Sequence, residues 1–581
     1  MPSRTAPRSA PPAKSPPAKP PAAAPSWLRP LIVALAAIYL LGLFSIEAGD
    51  SDLWWHLASG RYIWQNHRLP VPDPFSFTTY MGTPVYAGEL TTRHFNLTHE
   101  WGMELIYYLL QSHLGFPGLI LFRSFLLAFF CGMTGWLAWR RSGSFYRGLA
   151  AILLATTLAP IFAADRAYLA TFVMVTLTVA VFETRRGIWL LPPAFLIWAN
   201  CHGGFLMGWA IVGVYSAEAV FLHFRGKPLA DERKVWLAGA LAIAASIVNP
   251  NGLAVLDVMR HYRDSQMQIS IYEWSYPAWW PPDYYNLQVI SAAAVMLWAR
   301  RRVAFRDWLL FAALGGASAL ALRNTIFIAF IAPVILASYL PAWKRRVPVI
   351  LEYTVAGLLV VWIGLGLSRG STFQLRASDW RYPKEAADFL IAHHVTGRLF
   401  NTYEGGGYLI WRLWPQEQVF IDGRALNESV WNDYRHIAYN ADYQGGKTSN
   451  QLLDQYGPEV ILMNGFDFKG NVMLLAAALA DPVQTEWKLV YHDAKSLVYM
   501  RHPPPGVEPL KSLDALSSLE EQCSYNFDHG LPPFCARSLG DVFMRIGDWT
   551  RARKWLNTYL TVDSEDAVAR RELRQLDAAR K

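Results

Sequence analysis

Charge is scarce in this chain and cysteine is nearly absent. Of the 581 residues, 17% are Asp, Glu, Lys or Arg, against 53% hydrophobic residues and 25 tryptophans. One soluble core does not bury that much apolar surface, so a wholly water-soluble protein is excluded and lipid is the natural solvent. The net charge of +8 gives no basic face, because Lys and Arg sit in short clusters between apolar runs; nucleic acid is therefore excluded as a partner, and the clusters read as membrane orientation signals. The four cysteines give little to build on. Cys131 and Cys201 fall in or beside apolar segments as buried thiols, while Cys523 and Cys535 lie in a polar tail, where an extracytoplasmic location would permit a disulfide closing a short loop and leaves bridged and free equally open. There is no HExxH, no GxGxxG and no P-loop lysine.

What is present is a succession of spans. Residues 1–26, rich in Pro, Ala, Lys and Arg and without apolar periodicity, form an expected disordered basic cytoplasmic arm. The run 27–46 is long enough to span and lacks a small-residue cleavage site, so it reads as a retained helix. Further spans are expected near 116–139, 145–164, 168–184, 188–200, 204–224, 235–256, 286–299, 306–322, 324–341 and 350–368, giving about eleven in a transmembrane domain over 27–370. Alternate loops carry roughly sixteen Lys and Arg residues, among them Arg140/Arg141/Arg147, Arg225/Lys227/Arg233/Lys234 and Lys344/Arg345/Arg346, against about four (Arg166, Arg260, Arg263, Arg323) in the other set. The asymmetry predicts a cytoplasmic N-terminus and an extracytoplasmic C-terminal region. Two outer loops are long, 47–115 and 249–285. In the first, the Leu53-Trp54-Trp55-His56-Leu57 and Tyr62-Ile63-Trp64 pattern predicts an amphipathic helix lying in the membrane interface, with a second such helix over 100–114.

Past Arg369 the pattern becomes that of an α/β domain, 371–505, with strands expected at 398–401, 418–422 and 459–463 and an edge hairpin from 487–492 and 496–501. Helices are expected at 408–414, 431–439 and 449–456. A helical tail over 506–581 contains one tetratricopeptide-like helical pair at about 533–566, which needs either the α/β domain or a protein partner to cover its face.

Topology sorts the unusual polar residues onto the outer side: Asp52, His56, His99, Glu100, Arg166, His202, Glu273 and Arg323. Asp52 follows the first span, at headgroup depth, where a carboxylate serves as general base towards an acceptor hydroxyl or, alternatively, caps the helix that starts beside it. Arg166 and Arg323 suit a lipid phosphate, or are snorkelling interfacial arginines. His56, His99, His202 and Glu100 leave a divalent metal open, with no recognised ligand spacing to require one. Glu404-Gly405-Gly406-Gly407 is a strand-to-helix turn that is either structural or anion-binding, and Asp422 beside Arg424 is either a local ion pair or a surface facing the membrane-domain cavity.

Taken together, the stretch Asp52-Leu53-Trp54-Trp55-His56-Leu57-Ala58-Ser59-Gly60-Arg61, Asp73-Pro74-Phe75-Ser76-Phe77-Thr78 and His99-Glu100-Trp101 resembles the first outer loop of bacterial membrane proteins of the GT-C glycosyltransferase superfamily. Trp198-Ala199-Asn200-Cys201-His202-Gly203-Gly204, Asn249-Pro250-Asn251-Gly252, and residues 403–411 and 419–424 extend the likeness over most of 27–500. The resemblance implies a polytopic α-helical GT-C-like membrane domain in the bacterial inner membrane. It also implies inverting transfer of a sugar from a polyprenyl-phosphate donor at the outer face, with an acidic base in the first outer loop, by position Asp52. A non-catalytic envelope scaffold is the second reading. A transporter is disfavoured because the spans, Arg123 apart, are nearly free of ionisable groups.

Overall fold

The computed structural model describes residues 25–226, 228, 232–341, 347–440 and 446–578. The arm expected over 1–26 lies almost wholly outside the described residues, as do Lys227, Lys344, Arg345 and Arg346 of the basic clusters. Backbone amides in hydrocarbon have no water to bond, so long apolar runs satisfy them internally as helices. In chain order these are α1 (Leu28–Phe44), α2 (Ser51–Asn66), α3 (Glu89–Thr98), α4 (Trp101–Ser142), α5 (Phe145–Ala155), α6 (Tyr168–Thr184), α7 (Leu191–Cys201), α8 (Leu206–Phe224), α9 (Arg233–Ser246), α10 (Val255–His261), α11 (Gln266–Ser270), α12 (Tyr284–Trp298), α13 (Phe305–Leu320), α14 (Ile326–Tyr339) and α15 (Val349–Ser368). A helix stands at every expected span position. The segments Glu89–Ser142, Gly203–Phe224, Leu322–Tyr339 and Val349–Ser368 are long and apolar enough to cross a membrane by length and composition, and the chain is a multi-pass membrane protein.

Two expectations shift. The span placed at 235–256 ends at Ser246, because the Asn249 side chain accepts from the Asn251 and Gly252 amides at 2.8 and 3.0 Å and turns the chain out of the helix. The helices expected over 100–114 and 116–139 are the two halves of α4, which part at Gly115, where φ 65° and ψ −167° are not helical.

The larger shift concerns α2, whose apolar face is covered by protein. Its residues Leu53 to Gly60 are all buried between α4 and the C-terminal domain. Trp54 meets the rings of Phe116, Tyr382 and Tyr408, with centroids 5.8, 5.4 and 4.9 Å away. A Cβ on Gly60 would overlap the Glu104 carbonyl, so glycine permits the close crossing with α4. Tryptophans at helical spacing mark a face that needs cover; here protein provides the cover in place of lipid headgroups.

The C-terminal region adds α16 (Lys384–Ala392), β1 (Gly397–Asn401), α17 (Gly406–Leu413), β2 (Glu417–Val419), α18 (Glu428–Ala438), α19 (Ser449–Tyr456), β3 (Val460–Met463), α20 (Leu474–Leu479), β4 (Lys488–His492) and β5 (Leu497–Met500). The sheet runs β2-β1-β3-β5-β4, with β1 parallel to both neighbours and β4/β5 an antiparallel edge hairpin. β2 is shorter than expected: after Val419 the backbone leaves the sheet, and the Asn401 side chain takes over the Phe420 amide at 2.8 Å. The tail helices α21 (Asp514–Asp528), α22 (Phe534–Arg545), α23 (Trp549–Leu560) and α24 (Ala567–Ala578) share one hydrophobic cluster with β3, β4 and β5, and a Cys523–Cys535 disulfide joins α21 to α22.

One buried carboxyl in this domain has no partner. Glu417, 2% exposed on the edge strand β2, has neither carboxyl oxygen hydrogen-bonded, and burial pushes its pKa up to about 8. Folding then takes up a proton between the ordinary glutamate value and about pH 8, so the native state loses stability as pH rises through that window. Glu417→Gln should raise the apparent Tm at pH 8 and leave it nearly unchanged at pH 4, measured by intrinsic fluorescence in detergent.

Candidate active site

The outer end of the helical bundle and the C-terminal edge of the parallel strands enclose the polar residues singled out above. Asp50 begins the site as N-cap of α2, its carboxylate accepting from the Asp52 amide at 2.9 Å. Arg166, on the turn before α6, donates from Nε to Asp50 at 2.8 Å and from one terminal nitrogen to both oxygens of Glu273 at 2.8 and 3.0 Å. The same nitrogen lies 3.3 Å from Asp52 Oδ2, so three carboxylates converge on one guanidinium. Burial pushes Asp52 up to about 6, with Asp50 and Glu273 adding to the rise and Arg166 opposing it. Asp50 moves the other way: against burial, its Arg166 contact holds it below the usual carboxylate range. Two aspartates two residues apart are thus driven apart in acidity, and the less acidic one keeps 19% of its side chain exposed.

Four residues on from Asp52, on the same face of α2, His56 opens a second cluster. Its Nδ1 lies 3.7 Å from Glu100 and 3.8 Å from Glu104; against burial, those carboxylates raise its pKa. His99 donates from Nδ1 to the Phe95 carbonyl at 2.8 Å, and its Nε2 faces Glu100 Oε1 at 3.0 Å. Although burial opposes it, His99 holds the Glu100 carboxyl well below the usual range. His202 differs. Its Nδ1 accepts from the Gly204 amide at 3.0 Å and contacts Thr171 Oγ1 at 2.8 Å, and burial lowers its pKa to about 3. The ring is neutral with its proton on Nε2, 3.6 Å from Glu100 Oε1, so it offers no lone pair towards that carboxylate. Among the described residues no three His, Cys, Asp or Glu side chains are arranged to hold a metal ion.

Arg323 stacks over Trp274, guanidinium carbon 4.4 Å from the ring centroid, and among the described residues has no carboxylate in ion-pair range. Arg166, in contrast, is engaged by acids and acts on Asp52 before it can act on a phosphate. Arg123, the lone charge expected in a span, forms a buried pair with Asp165 at 2.6 Å.

The floor of the site belongs to the C-terminal domain. A Cβ on Gly407 would lie 2.8 Å from the Ser51 carbonyl and 3.1 Å from Trp55 Cδ1, so the glycine-rich turn packs against the first turn of α2, which accounts for its composition without a bound anion. Asp422 and Arg424 do form an ion pair, and it extends further than the sequence shows. Arg424 contacts both Asp422 oxygens at 2.7 and 2.8 Å and both Asp73 oxygens at 2.8 and 3.1 Å, all three side chains being at most 2% exposed. Ser76 donates to Asp422 and Thr79 to Asp73, each at 2.5 Å. Asp50, Glu104, Asp73 and Gly423 were not singled out from the sequence; the nearest signal was the second acid beside Asp52.

No family model matches the chain, and no curated protein matches it. Among solved structures, the archaeal oligosaccharyltransferase AglB from Archaeoglobus fulgidus, in complex with an inhibitory peptide and a dolichol-phosphate, superposes with a TM-score of 0.53 at 10% identity, over 90% of this chain and 86% of that one. The apo form of the Archaeoglobus fulgidus oligosaccharyltransferase superposes at 0.50 and 10% identity, over 82% and 75%. The likeness is one of fold.

Removing one partner from a buried ion pair leaves an uncompensated charge and costs about 3–5 kcal/mol, whereas replacing all members by apolar groups is often neutral. Arg424→Met should therefore lower the apparent Tm sharply in a thermal melt, and adding Asp73→Leu with Asp422→Leu should recover part of the loss.

Proposed function

We propose that this chain is a membrane glycosyltransferase, moving a sugar from a polyprenyl-phosphate-linked donor to an acceptor at the extracytoplasmic face with inversion at the transferred carbon. The observation that carries the reading is the Asp52 carboxylate, partly open at the end of the bundle beside Arg166 and pushed up to about 6 by burial, with Arg166 opposing and Asp50 adding to the rise. A base of that strength is ionised at neutral pH and still takes a proton readily. Asp52 removes the acceptor hydroxyl proton as the acceptor oxygen bonds to the sugar carbon; the bond from that carbon to the phosphate oxygen breaks, and the lipid phosphate leaves with the electron pair. Arg323, with no carboxylate in ion-pair range among the described residues and close enough to influence His202, suits the departing phosphate. Arg166 serves as counter-ion to the acids.

The similar oligosaccharyltransferase structure contains a dolichol-phosphate, which supports a polyprenyl-type lipid. The basic loop clusters and the Cys523–Cys535 bridge support a bacterial inner-membrane location with a cytoplasmic N-terminus and an extracytoplasmic C-terminal domain.

Native mass spectrometry of the gently extracted protein is expected to release a polyprenyl phosphate, with or without a sugar; only bulk phospholipid after attempted loading would remove the reading. Asp52→Asn should retain that lipid but lose transfer by about 10²–10⁴-fold. Because the base acts ionised, transfer should rise with pH through about 6, and Asp50→Asn, which removes a like charge, should move that limb to lower pH in a kcat/KM profile.

A further inference from the structure

Parallel strands of an α/β sheet hold ligands beyond their C-terminal ends. Here the turns after β1 and β2 hold the N-terminal turn of α2 instead. The contact closest to the chemistry is Gly423, in the turn after β2. A Cβ built on it would lie 2.6 Å from Asp52 Oδ1 and 3.4 Å from Trp55 Nε1, an indole donor that is buried without a hydrogen-bond partner. Gly423 does not adopt a positive φ, so backbone conformation does not demand glycine there; the space does.

The turn has little freedom to yield. On one side Arg424 is fixed to Asp73 and Asp422. On the other, Asn96 of α3 donates to the Arg424 and Ala425 carbonyls at 3.1 and 3.2 Å, and Arg93 donates to the Leu426 carbonyl at 2.7 Å. Ala425 is held at φ 55°, a left-handed conformation that costs a non-glycine residue about 1 kcal/mol or more and persists where its surroundings over-determine it. A short turn is thus gripped by the Asp73 loop and by α3 and pressed, glycine first, against one carboxylate oxygen.

We propose that Gly423 is a positioning residue for Asp52: the C-terminal domain forms one wall of the active site, and the bare glycine fixes the carboxylate with Oδ2 towards Arg166. The inference rests on the reading of Asp52 as base, but the geometry can be tested without transfer. Asp52 is faced by Asp50 and His56 from α2, Arg166 from the turn before α6, Glu273 from the second outer loop, and Tyr382 and Tyr403 from the C-terminal domain. A methyl at position 423 both desolvates the carboxylate and turns it from Arg166, and each effect favours its protonated form.

The test labels the full-length protein in detergent with a hydrophobic carbodiimide, which reacts with protonated carboxyls, and follows Asp52 by peptide mass spectrometry across pH. Gly423→Ala should raise the labelling midpoint by about one unit and lower kcat about a hundred-fold with KM for the lipid donor unchanged. Gly405→Ala is the control, since its Cβ would meet nothing nearer than 3.5 Å; both readouts should match the parent. Asn96→Ala, which lets the turn withdraw and water reach the carboxylate, should lower the midpoint, and it serves if Gly423→Ala does not fold. Midpoints equal to the parent's in Gly423→Ala, or in Asn96→Ala if that variant alone folds, would overturn the inference. A shifted midpoint in Gly423→Ala together with no transfer by the parent would leave the positioning intact and remove the transferase reading.

Discussion

The guanidinium of Arg424 is the joint on which the outer half of the protein depends. It is almost fully desolvated, and only because two carboxylates face it is its burial tolerable; one of those belongs to its own turn and the other, Asp73, to the first outer loop. Separate the two parts and Asp73 loses its counter-ion, while Arg424 keeps only Asp422. The pairing therefore does more than add stability, because it specifies where the first outer loop lies on the sheet. With that fixed, α2 has one place to go, between α4 and α17, and its first turn meets the glycines of the C-terminal domain.

The acids of the site are organised by contrast. One guanidinium serves Asp50, Asp52 and Glu273, leaving an excess of negative charge near Asp52, while Arg323 lies over Trp274 without a carboxylate in ion-pair range among the described residues. The Arg123–Asp165 pair is buried in the bundle.

How much of this was legible in the sequence follows from the range of the forces involved. Hydrophobic run length and basic loop clusters are local, so the helix positions and the α/β domain could be read, and helix 449–456 falls where expected. The candidate residues Asp52, His56, His99, Glu100, Arg166, His202 and Glu273 do meet, because loops on one side of a bundle converge by topology. What local pattern could not supply was long-range pairing. Trp54 and Trp55 read as interfacial because sequence cannot tell a lipid face from one covered by a distant domain. The occupancy of Arg166 and the reach of Arg424 to Asp73 likewise appear only when segments far apart in sequence are brought together.

Asp73 and Arg424 are 351 positions apart. At synthesis rates of about 5–20 residues per second, roughly 20–70 s separate their emergence, and the intervening spans are threaded meanwhile. During that interval Asp52 is already made and delivered, but neither its glycine backing nor its loop anchor exists. The site around Asp52 is completed by the last-made third of the polypeptide, so a nascent or prematurely terminated chain carries every residue of the membrane half and still lacks the turn that backs that carboxylate.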